Sequence, residues 1–136
     1  MSGRSGRARR RLLVFGALLL VIAAGLASRR WPLPGLLAEH TGDALYTCAA
    51  FCGLALLWPR ARSVRLGTAA FAVSAAVEFT QLLSWQWLAD LRANRLGALL
   101  LGQGFQWADL VAYAAGALLA GVTDRWLRCN RQEVRP

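Results

Sequence analysis

The chain has 136 residues, 57% of them hydrophobic, with a mean hydropathy of +0.39, which is too apolar for an ordinary soluble domain of this length. Its net charge is +9 and its 16 basic residues are all arginine. Such a charge could suit nucleic acid, but the arginines sit in the gaps between four apolar blocks, so they read as topology signals and no nucleic-acid partner is expected.

Residues 1–11 form a basic segment carrying Arg4, Arg7, Arg9, Arg10 and Arg11. The first apolar block follows over 12–27 and is ended by Arg29, Arg30, Trp31, Pro32 and Pro34. A basic start before an apolar core also suits a secretory signal peptide, but the apolar segments that follow make an uncleaved first helix the simpler reading. Residues 36–43 are a lead-in containing Glu39, His40 and Asp43, with His40 read as an exposed loop histidine. The second block, 44–58, is stopped by Pro59, and Arg60, Arg62 and Arg65 make a short basic loop.

The third block, 66–85, is interrupted among strongly polar residues only by Glu78 and Gln81. A long connection over 86–106 carries Asp90, Arg92, Asn94 and Arg95. Its apolar run Leu96 to Leu101 is too short to span a bilayer, and Gly102-Gln103-Gly104 reads as a flexible hinge. The fourth block is 107–122, and the basic tail 123–136 carries Arg125, Arg128, Arg131 and Arg135.

These blocks predict an all-α, four-span transmembrane bundle with spans at 12–27, 44–58, 66–85 and 107–122. The Leu96–Leu101 run is expected to be re-entrant or interfacial between the third and fourth spans. A bilayer core of about 30 Å needs about 20 helical residues, so the blocks are slightly short. Flanking arginines can snorkel, and Trp31, Trp58, Trp85, Trp107 and Trp126 lie where interfacial anchors belong. Twelve arginines lie in the N-terminal segment, the second loop and the tail, against four in the first and third loops. The positive-inside rule then places both termini in the cytoplasm.

Small residues repeat every four positions at Thr68, Ala72, Ala76 and Thr80, at Ala112, Gly116 and Ala120, and at Ala49 and Gly53, which marks candidate seams for helix contact. Cys48 and Cys52 share a helix face and read as small buried hydrophobes. No cluster of His and Cys completes a zinc site, and no cofactor or metal is expected.

Ionisable groups within apolar segments are costly and tend to mark sites. Glu78 and Gln81 are i,i+3, Asp109 and Tyr113 are i,i+4, and Asp43 and Tyr46 are i,i+3, so each pair shares one helix face. At about 1.5 Å of rise per residue, all six fall within roughly 10 Å of the outer boundary, where Arg92 and Arg95 can reach them from the loop above. The structural reading is that these groups only fix the bundle, with Asp109 as an N-cap or clamped to one of those arginines.

The order Gly42-Asp43-Ala44-Leu45-Tyr46, Glu78-x-x-Gln81, Arg92 to Arg95, and Leu101-Gly-x-Gly-Phe-x-Trp-x-Asp109-x-x-x-Tyr113-x-x-Gly116 resembles a bacterial DUF-type family of small four-helix membrane proteins of unknown function. The resemblance runs from about residue 12 to 122 and is most specific around Gly104 to Gly116. That family is similar to the VanZ-like proteins, which carry Glu-x-x-Gln in one helix and Asp-x-x-x-Asn followed by Gly in the next. Glu78, Gln81, Asp109 and Gly116 match those patterns, while Tyr113 stands where the VanZ-like proteins have Asn. The resemblance implies a bacterial plasma-membrane protein of the cell envelope, related to proteins associated with resistance to lipoglycopeptides such as teicoplanin.

The expected function is binding of a polar or anionic lipid head group, or a lipid-linked cell-wall precursor, at an outer-leaflet site made by Asp43, Tyr46, Glu78, Gln81, Arg92, Arg95, Asp109 and Tyr113. A homo-oligomer is compatible with so small a bundle. One alternative is a structural or assembly subunit. Another is a membrane hydrolase or transferase using Glu78 and Asp109 as acid and base.

Overall fold

The structure, a computed structural model, describes residues 2–31, 34–102 and 104–133, without the side chains of 2–5, 36–39 and 131–133. The described residues are all-helical, with no strand: α1 (Ser2–Arg30), α2 (Leu36–Leu57), α3 (Ser63–Thr80), α4 (Gln86–Ala93), α5 (Arg95–Leu101) and α6 (Trp107–Glu133). One of these, over Gly6–Arg30, is long and apolar enough to cross a membrane, and no residue of its apolar stretch is fully buried.

The boundaries differ from the sequence expectation for local reasons. Residues 2–11 of the basic segment are helical and form the start of α1, since arginine is a good helix former. His40 is not in a loop; α2 begins at Leu36 and carries it. The third helix stops at Thr80 rather than at Trp85, where the backbone N–H of Gln81, Leu82 and Leu83 close tight turns onto Glu78, Phe79 and Thr80. The long connection folds into two short helices. Asn94 caps the second, its side chain accepting from Gly97 N at 2.7 Å. The Leu96–Leu101 run is helical within it. Gln103, the middle of the expected hinge, lies outside the described residues, as do Pro32 and Arg135.

Helix α2 is central and packs against α1, α3 and α6, while α3 also packs against α6. Cross-links fix the directions. Arg10 near the start of α1 donates to the Pro59 carbonyl just past α2, so these two helices are antiparallel. His40 meets Asp109, and Cys48 donates to the Gly116 carbonyl, so α2 and α6 run parallel. Here a Cβ on Gly116 would collide with the Ala44 carbonyl; only glycine permits this approach.

The interior is apolar around Phe51 and polar toward Glu78. Phe51, Ala55, Leu66 and Ala70 form the apolar cluster, with Val14, Leu54 and Ala120 against it. The largest fully buried side chains are all polar: Glu78, Thr47 and Ser74. Meanwhile Phe15, Leu19, Val64, Val73, Phe79, Val111, Leu118, Leu119 and Val122 are exposed.

That burial corrects the expected seam on α3. Thr68, Ala72 and Ala76 are exposed and Thr80 only half-buried; the buried face is Leu66, Ala70, Ser74 and Glu78. On α6 the expected seam holds, with Ala112 and Gly116 buried and Ala120 partly so.

Candidate functional site

Glu78 sits at the end of the buried face of α3 and is wholly inaccessible. Burying a carboxyl without partners is costly, and the fold supplies three donors. Tyr113 Oη from α6 donates to Oε2 at 2.9 Å, and Gln81 Nε2 donates to the same oxygen at 3.0 Å. The backbone N–H of Gln106 donates to Oε1 at 2.9 Å. One carboxyl therefore joins α3, α6 and the segment leading into α6. Gln81 extends the network, its Nε2 also donating to the Leu101 carbonyl at 3.1 Å, which ties the end of α5 to α3. Gln81 Oε1 is buried with no donor.

Beyond Glu78 opens a polar cavity of about 390 Å³. Its wall includes Arg29, Asp43, Glu78, Gln81, Asp109 and Tyr113, together with Gly102, Gly104 and Gln106. Gly102 holds φ 67, a left-handed turn that brings the chain against Gln81; a Cβ there would sit 2.7 Å from Gln81 Nε2. Phe105 stacks on Phe79 at 5.7 Å between ring centroids and meets Trp107 edge-on at 4.9 Å, which pins this turn to the end of α3.

Asp109 is the third residue of α6 rather than the residue before it, and its Oδ1 is 3.2 Å from His40 Nδ1. Asp43, one turn beyond His40 on α2, places Oδ2 at 4.0 Å from the same nitrogen. His40, Asp43 and Asp109 thus converge, their ligating atoms all within 4.8 Å of one another.

Of the residues expected at the site, Asp43, Glu78, Gln81, Asp109 and Tyr113 share the cavity wall. Tyr46 is beside it, lining a smaller adjoining cavity with Asp43, Gln81 and Tyr113, its ring 6.3 Å from that of Tyr113. Arg92 and Arg95 line neither. Arg92 instead donates to Thr80 Oγ1 at 3.2 Å, and Arg95 is exposed at the start of α5. The arginine at the cavity is Arg29, in the last turn of α1. Sequence reasoning also missed His40, although its i,i+3 spacing from Asp43 was available.

The opposite end of the bundle carries a contrasting carboxylate. Asp124 receives Arg10 NH2 at 3.0 Å, Ser63 Oγ at 2.8 Å and Arg128 Nε at 2.8 Å. Burial alone would push its carboxyl up, but the bonds from Ser63 and Arg10 and the charges of Arg128 and Arg10 outweigh that and hold it below the ordinary value.

No solved structure matches the chain. Residues 32–117, well over half of its length and all of the cavity wall except Arg29, match the model of a family described as "Protein of unknown function (DUF2809)". The chain belongs to that family.

Proposed function

We propose that this chain is a four-span, VanZ-like protein of the bacterial plasma membrane, with both termini cytoplasmic, that binds a lipid head group in the cavity between α2, α3 and α6. The spans would be the apolar stretches of α1, α2, α3 and α6, with Arg10 before the first and Asp124 beyond the last. The inverted surface supports this reading: aliphatic side chains point outward on α1, α3 and α6, while Glu78, Thr47 and Ser74 are fully buried. Such an arrangement suits hydrocarbon as the surrounding medium and protein as the partner of each buried polar group. The grouping of Arg10, Pro59, Ser63, Asp124 and Arg128 at one end supports a common cytoplasmic side for the N-terminal segment, the second loop and the tail.

The single observation that carries the binding reading is the cavity of about 390 Å³ at the other end, polar in its wall and opening where outer-leaflet head groups would lie. Its chemistry defines the ligand class. Arg29 offers a planar donor fork to a phosphate or carboxylate. Asp43 and Asp109 offer acceptors for hydroxyl or ammonium groups. A phospholipid or lipid-linked precursor bearing hydroxyls combines the two. Glu78, already saturated by three donors, positions Tyr113 and Gln81 instead of contacting the ligand.

Native mass spectrometry of detergent-purified protein tests this. The wild type should retain one lipid per chain, and Asp109→Asn and Arg29→Gln should each lose it. Equal retention by all three proteins would count against the cavity as a head-group site.

A further inference from the structure

We infer that His40, Asp43 and Asp109 form a binding site for a divalent transition-metal ion, with Zn²⁺ the best match to the donor set. The donors are one imidazole nitrogen and two carboxylate oxygens, from α2 and α6. Mixed nitrogen and oxygen ligands suit Zn²⁺, which binds them at about 2.0–2.2 Å and therefore separates tetrahedral ligands by roughly 3.4 Å. His40 Nδ1 and Asp109 Oδ1 already stand 3.2 Å apart. The remaining edges, 4.0 Å from His40 Nδ1 to Asp43 Oδ2 and at most 4.8 Å between the two carboxyl groups, are longer and would have to close by side-chain rotation.

The three side chains are largely withdrawn from solvent, at 22%, 25% and 13% relative exposure, and their helices hold them in register. His40 and Asp43 share one face of α2 at i,i+3, and the close approach at Gly116 fixes α2 against α6. A second observation points the same way. Asp43 and Asp109 belong to the cavity wall, and Gln81, another residue of that wall, carries a buried acceptor, Oε1, with no donor. Three acidic side chains line that wall, and among the described residues Arg29 is its only arginine. The wall is thus short of positive charge, which a divalent ion would supply. Three protein ligands leave a fourth position open toward the cavity, where water or an anionic ligand can coordinate.

The chain holds a single histidine, so the site can be read in the unmodified protein. The full-length protein would be purified without a polyhistidine tag, treated with chelator in detergent, and labelled with ¹⁵N-histidine. Titration with ZnCl₂ should shift the imidazole resonance with saturation at one ion per chain. By calorimetry, His40→Gln and Asp109→Asn should each bind Zn²⁺ at least tenfold more weakly, while Asp90→Asn on α4 binds as the wild type does. An imidazole resonance unmoved by excess Zn²⁺ would overturn the site and leave His40 as a hydrogen-bond partner of Asp109 only. Unchanged affinity in both substituted proteins would overturn it too. The titration needs no lipid, so its failure and that of head-group binding are separately visible.

Discussion

Two carboxylate centres stand at opposite ends of the same helices, and they are built on opposite principles. Around Asp124, one carboxylate faces Arg10, Arg128 and Ser63, so every neighbour donates. Around the cavity, Asp43, Glu78 and Asp109 share a wall with Arg29, and two of the three converge on His40. The first centre is complete as it stands and ties α1 to α6 and α3. The second contains both a saturated carboxyl, Glu78, and acceptors that the protein itself does not fill. A bundle needs the first kind to hold together; the second kind is kept at some cost in stability and suits a ligand.

The comparison breaks most sharply at Glu78. Replacing it with Ala leaves Tyr113 Oη, Gln81 Nε2 and the Gln106 N–H without the acceptor they share. The expected loss is about 3 kcal/mol, as for several stranded buried donors. Thermal unfolding in detergent measures it. A loss below that of any cavity aspartate would mean Glu78 is not the keystone of that end.

Next in size is Asp124→Asn, which removes the charge from a mostly buried group with three donors. A loss of about 1–2 kcal/mol is expected, together with faster proteolysis of α1, which reaches α6 through Arg10. The pH dependence sharpens this. The folded-state value of Asp124 lies below its ordinary 3.8, so its contribution is fully present above that value and disappears as pH falls through the lower, folded one. The gap in melting temperature between wild type and Asp124→Asn should therefore be constant near neutrality and shrink as pH drops below about 4. A gap that widened on acidification would show the sign to be wrong.

How much of this was legible in sequence differs between the two ends. The all-helical class followed from the apolar blocks, and Glu78, Gln81, Asp43, Asp109 and Tyr113 could be grouped from depth and spacing, because helices fix both. The wrong seam on α3 has a plain cause. Small residues at every fourth position exist on more than one face of an alanine-rich helix, and only Glu78, stepped back by fours to Ser74, Ala70 and Leu66, identifies the buried one. The arginines could not be assigned from spacing. Arg92 is carried away on α4 to Thr80, and Arg29 enters because α1 packs beside α2. The Asp124 centre joins residues 114 positions apart, a pairing that periodicity does not encode.

The smallest expected effect is the most discriminating. Asp43 stands close to another carboxyl group, Asp109, and 4.0 Å from the imidazole of His40. Asp43→Asn keeps the shape while replacing one of two converging carboxyl groups with an amide. Stability should stay within about 0.5 kcal/mol of the wild type, since the amide fills the same space and His40 keeps its closer partner, Asp109, at 3.2 Å. Zn²⁺ affinity should fall in the same protein. A side chain whose neutralisation leaves the fold untouched and removes ligand affinity is placed for binding, whereas one that unfolds the bundle, as at Asp124, is placed for structure. If Asp43→Asn destabilised as much as Asp124→Asn, the two ends would be alike, and the acidic wall would be part of the scaffold.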